Sequence, residues 1–75
     1  MLQRNKIAKE IHALEEEIKI LEIKRSRSIA VILEALISRT TPNDEDVQYF
    51  RTFTAEIEIK REQLQKLTRQ LEGLI

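Results

Sequence analysis

A seven-residue stretch, Thr40-Thr41-Pro42-Asn43-Asp44-Glu45-Asp46, divides one long helical pattern into two. It holds the only proline of the chain, and the only glycine stands far away at Gly73. Two helix starts compete inside it. Thr41 can act as N-cap, with Pro42 as first helical residue and Asp44 reaching back to the cap. Asn43, with Asp46 three residues on, is the other choice. Either way three carboxylates occupy the positive end of a helix dipole. A short break between two long helices folds them back on each other. The expected fold is all-α: an antiparallel, coiled-coil-like two-helix hairpin. Its helices should run over 2–39 and 43–73, with the turn at 40–43, in a single domain over 1–75.

The apolar spacing supports this. Ile7, Ile11, Leu14, Ile18 and Leu21 step four, three, four, three, which is a heptad seam. Beyond Leu21 the register can go two ways. Kept strictly, it passes through Arg25, Ser28, Ile32 and Ala35. With an inserted four-residue step it takes Arg25, Ile29, Leu33 and Leu36, and the supercoil locally unwinds. A change in packing is therefore expected near Arg25. In the second helix the seam is Phe50, Phe53, Ile57, Lys60, Leu64, Leu67, Leu71 and Leu74, with Gly73 as a helix stop. Folding about residue 42 sets Arg25 level with Lys60 and Leu74 opposite Glu10. Both cations should then snorkel outward, with Glu22, Glu56 and Glu62 in reach. Met1–Lys9 become an overhang. The pairs Lys6–Glu10, Glu15–Lys19, Glu56–Lys60 and Glu62–Lys66 have the spacing of helical ion pairs on a solvated face.

Size then constrains association. A chain of 75 residues buries only about 60–65% of its unfolded surface, and for such lengths burial roughly balances ordering entropy. Small chains compensate with disulfides, a metal or oligomerisation. There is no cysteine, and the lone histidine, His12, cannot build a zinc site. No cofactor is expected. Oligomerisation remains, and two hairpins would dimerise into a four-helix bundle.

The run from Ile29 to Ile37 points the same way. Ile29, Ile32, Leu33, Leu36 and Ile37 cover nearly the whole helix circumference, and Phe50 and Phe53 should lie at their level. One partner helix cannot hide that cluster, and exposed apolar patches mark association sites. A second set, Ile20, Ile23 and Ile59, with Ala30 and Ile37, points away from the seam and suggests a further contact. Together these form the candidate interface.

Other functions find less support. Thirteen basic and thirteen acidic residues cancel, whereas nucleic-acid binders carry a basic excess. The cluster Lys24-Arg25-Ser26-Arg27, joined in a hairpin by Lys60-Arg61, forms a belt without an aromatic to stack a base, so nucleic acid is not an expected partner. No nucleophile–base pair is evident, and a two-helix hairpin has no dry pocket to shift a carboxylate. The N-terminal residues lack a signal-peptide core, and no apolar run reaches membrane-spanning length. A cytoplasmic, non-enzymatic protein–protein interaction module is expected, a small self-associating adaptor, assembly factor or regulator. The alternative is a small co-chaperone or secretion-type cofactor that shields an amphipathic helix of another protein. An RNA- or DNA-binding hairpin regulator is the weaker one.

Overall fold

The computed structural model describes residues 2–74. It contains two helices, α1 (Leu2–Ile37) and α2 (Asp44–Gly73), and no strand among the described residues. They pack antiparallel along their length. Gln3 and Ile7 share a hollow with Gln70, Gly73 and Leu74 at one end, while Ile18 and Leu21 meet Ile57 further along. The molecule is a rod of 57 × 15 × 14 Å. Its radius of gyration, 17.0 Å, far exceeds the roughly 11 Å of a compact chain of this length.

The heptad seam is what holds the rod. Ile57 is completely inaccessible (0% exposed) between Ile18 and Leu21, with Phe53 and Leu64 packed against the cluster. From Ile7 to Ala35, the buried and half-buried side chains of α1 follow the strict four–three register through Ile11, Leu14, Ile18, Leu21, Arg25, Ser28 and Ile32. The inserted step at Arg25 does not occur. The cause lies in the partner: α2 keeps unbroken heptads through Phe50, Phe53, Ile57, Lys60, Leu64, Leu67 and Leu71. A shift in α1 alone would set its knobs against ridges instead of holes.

The turn differs from expectation in detail. α1 stops at Ile37, two residues before Arg39. The Thr40 amide donates to the Ala35 carbonyl at 2.8 Å and the Arg39 amide to Leu36 at 3.1 Å, the two bonds of a Schellman ending. Arg39 takes the left-handed position, φ 59°, normally given to glycine. The Thr40 hydroxyl adds a bond to the Ala35 carbonyl at 3.0 Å. Of the two cap assignments, Asn43 prevails over Thr41. Its side chain accepts from the Glu45 amide at 3.0 Å, and its carbonyl takes the Val47 amide at 3.2 Å. Asn is the stronger cap of the two, so Pro42 stays in the turn. Asp44, Glu45 and Asp46 fill the first turn of α2, where the helix dipole favours them. Gly73 is the last residue of α2 and has no positive φ; it is not a left-handed stop.

The break between Ile37 and Asp44 is centred between residues 40 and 41, so the pivot lies nearer residue 40 than 42. The helices are offset from expectation by about one turn. Lys60 therefore meets Glu17, not Arg25, and donates to its Oε2 at 2.7 Å. Leu74 shares its hollow with Gln3 and Ile7, not with Glu10. The supposed overhang at Met1–Lys9 is absent over residues 2–9: they are helical, and Ile7 is buried. Met1 itself lies outside the described residues.

Two outcomes follow for stability. Ile57→Ala should cost about 2–5 kcal/mol, the usual range for a large buried aliphatic, whereas Leu2→Ala, 89% exposed, should leave the urea midpoint unchanged. Equal midpoints for both variants would show that the centre of the seam is not where the rod is held. Arg39→Gly should raise the melting temperature, by up to about 1 kcal/mol of stability, by removing left-handed strain; a lower melting temperature would mean that φ is not strained there.

Candidate interaction surface

The strict register leaves a second stripe of α1 uncovered. The residues immediately following its seam positions are Glu15, Lys19, Glu22, Ser26, Ile29, Leu33 and Leu36, and they form one flank of the rod. On α2 the corresponding residues are Arg51, Thr54, Glu58, Arg61, Gln65 and Thr68, with Val47 nearer the turn. Two observations place them together. Arg61 lies 3.7 Å from Glu22, and a hollow between the helices is lined by Glu15, Ile18, Lys19, Glu22, Arg61 and Leu64. Toward the termini this flank is charged with both signs. From Ile29 onward its α1 side becomes apolar: Ile29, Leu33 and Leu36 are 39%, 51% and 56% exposed, whereas the α2 side keeps Asp44 and Arg51, both exposed. Val47 and Phe50 are half-buried across from them on α2. The Thr54 and Thr68 hydroxyls donate back to the Phe50 and Leu64 carbonyls, each at 2.8 Å, so neither needs a partner outside the helix.

The other flank is less continuous. Glu17, Ile20, Leu21, Glu56 and Lys60 line an open hollow there, and Val31 and Tyr49 lie further toward the turn, both exposed. The Tyr49 ring stacks on Phe53 one turn on, with centroids 6.2 Å apart.

The candidate residues thus fall into three groups. Ile32, Phe50 and Phe53 are half-buried in the hairpin itself. Ile29, Leu33 and Leu36 form the exposed stripe, and Ile37 stands at its end on the back of α1, 81% exposed. Ile20, Ile23 and Ile59 are also exposed. Ile20 is on the second flank. Ile23 lies on the back of α1, in a hollow with Glu22, Ser26, Arg27 and Ala30. Ile59, two residues past Ile57 as Ile20 is two past Ile18, takes the same flank on α2.

The basic belt is divided. Lys60 and Arg61 sit by Glu17 and Glu22, one turn from the level of Lys24–Arg27, and each is paired with a carboxylate. Arg25 is half-buried in the seam. None of the four anticipated i, i+4 ion pairs forms. Lys19 instead approaches Glu16 at 3.7 Å. The pairing signal that sequence spacing missed is the cross-helix one, Lys60–Glu17, visible only once the pivot is known. His12 is exposed. Among the described residues no group of three or more His, Cys, Asp or Glu side chains gathers as metal ligands, and no helix is long and apolar enough to cross a membrane.

No protein-family model, curated protein or solved structure matches this chain.

The ion pairs are exposed and should contribute little. Lys60→Ala should cost roughly 0.2–1 kcal/mol, the measured range for solvated pairs. A loss several times larger in chemical melts would show that the Lys60 stem, not its charge, is part of the core.

Proposed function

We propose that this chain is a non-catalytic protein–protein interaction module that acts by binding a second copy of itself, as an adaptor, assembly factor or regulator would. The observation that carries this reading is the stripe of Ile29, Leu33 and Leu36, left half exposed on a rod that already uses its seam. Full burial of such a side chain contributes about 1.5–3 kcal/mol. Covering the exposed half of three would therefore add roughly 2–5 kcal/mol per chain, a large fraction of a small domain's stability. The total surface supports it. The rod exposes 6113 Å², about 1,300 Å² more than the ~4,800 Å² typical of a compact monomer of this mass. The hollows between the helices are open, and their carboxylates are solvated, which supports binding over catalysis.

The purified protein should sediment with twice the 8.9 kDa chain mass, and its helicity should fall on dilution, because an obligate dimer's stability depends on protomer concentration. The double variant Leu33→Glu/Leu36→Glu should sediment as one chain. A wild-type protein of single-chain mass, fully helical at sub-micromolar concentration, overturns the reading. A single-chain mass with helicity that rises only on adding an amphipathic helix assigns the stripe to a heterologous partner instead, as in a small co-chaperone or secretion-type cofactor.

A further inference from the structure

Resting on the self-association just proposed, we infer which surfaces meet: α1 of one copy packs antiparallel on α1 of the other, back to back, about a two-fold axis that passes between Val31 and Ile32. The back of α1 carries a further heptad series. Ile23, Ser26, Ala30, Leu33 and Ile37 step three, four, three, four, and all five are exposed. Ile29 and Leu36 border this series on one side, Arg27 and Glu34 on the other. At 3.6 residues per turn the series faces nearly opposite to the seam. The partner therefore sits across α1 from α2, and Asp44, Arg51 and Glu58 of α2 stay clear of the contact.

Side-chain size along the series is self-complementary. Ser26 and Ala30 are small, and with Glu22, Ile23 and Arg27 they line an open hollow. Leu33 and Ile37 protrude beside it, 51% and 81% exposed. Pairing about the stated axis sets Leu33 against the partner's Ala30 and Ile37 against the partner's Ser26. The two-fold symmetry makes each contact twice, as knobs into holes. Ile29 then lies against the partner's Leu36. The contact covers together the four aliphatics, Ile29, Leu33, Leu36 and Ile37, that the hairpin leaves exposed along the end of α1.

Charge selects the same register. On the other border Arg27 comes level with the partner's Glu34, again twice. Within one chain these two residues are two turns apart, about 10 Å, too far to pair with each other. Among the described residues neither takes part in an ion pair of the hairpin. Every competing register does worse. Parallel pairing, with turns together, puts Arg27 on the partner's Arg27 and Glu34 on the partner's Glu34. Sliding the antiparallel pair by one heptad toward the termini again opposes the two Arg27 side chains and sets Ala30 on the partner's Ser26, small on small. Sliding it one heptad toward the turn opposes the two Glu34 side chains and sets Leu33 on the partner's Ile37, large on large. Like charges repel in each of these, and holes or knobs go unmatched.

The absence of cysteine makes the test direct. Arg27→Cys and Glu34→Cys, both at exposed positions, are made singly in the full chain. Losing an exposed ion pair weakens association by only about a few-fold, so both variants should keep the two-chain mass. Each is treated with a short thiol–thiol cross-linker, alone and as an equimolar mixture. Neither variant should link to its own copy, and the mixture should give linked dimers. If the wild type has two-chain mass and a single variant links alone, or the mixture fails to link, the inference is overturned while self-association stands. A wild type of single-chain mass overturns both. Ala30→Trp adds a second reading, because a large side chain there collides with the partner's Leu33. Its dimer dissociation constant should rise by about 10–100-fold, with no loss of helicity at high concentration. An unchanged or smaller constant would show that Ala30 lies outside the contact and overturns the inference.

Discussion

Ile57, fully enclosed between Ile18 and Leu21, is the contact on which the rest of the rod depends. It lies where two heptad seams are both apolar and in phase. Toward the turn, α1 offers Arg25, Ser28, Ile32 and Ala35 to the seam, and only Ile32 among them is large and apolar. Toward the termini the seam continues through Leu14, Ile11 and Ile7 on α1 and Leu64, Leu67 and Leu71 on α2. The centre therefore sets the phase, and the two arms follow it because a helix cannot change its facing without a local change in winding.

That phase has a consequence at the turn. α1 carries two overlapping seams beyond Leu21, and the one engaged with α2 is the poorer. Packing Ile29, Leu33 and Leu36 against α2 would bury more apolar surface locally. It would also require a step that α2 does not match. The mismatch would propagate into Phe50, Phe53 and Ile57, where packing is closest. Interiors tolerate small shifts badly, so the register is kept and the better stripe stays outside. An apolar stripe displaced about a third of a turn from the engaged seam is what a helix needs to touch a second neighbour. Helices in four-helix bundles contact two neighbours in this way.

The same competition explains what could be read from the sequence. The seam of α2 was legible residue by residue from Phe50 to Leu71, because a heptad repeat with large aliphatics has one facing solution; Leu74, expected to continue it, is 45% exposed. The existence and direction of the hairpin followed from a single proline-bearing break. Three details were not legible. Arg39 in the left-handed position has no marker, since glycine or asparagine usually signals it and neither is present. The cap was ambiguous because Thr41 and Asn43 are both good caps. The pivot depends on where α1 ends, and displacing it shifts every cross-helix pairing by the same step, so Lys60 meets Glu17 instead of Arg25 and Gln3 and Ile7 lie against the end of α2. The exposed candidates were found by composition, yet their division among faces required knowing which way each helix turns. Ile20 and Ile59 take equivalent positions on the second flank, and Ile23 stands on the back of α1.

Polarity along the flank matters more than its total apolar content. A uniformly apolar flank would pair with another copy in either direction and at several offsets. Here the α1 side of the flank changes from Glu15, Lys19 and Glu22 to Ile29, Leu33 and Leu36 within two turns of helix, while the α2 side keeps Asp44, Arg51 and Glu58 beside Val47. Specificity is a difference between such arrangements, and it often comes from what the wrong one costs. The charged half contributes little attraction at the exposed positions it occupies. A surface that covers this flank has to answer its charges as well as bury its aliphatics.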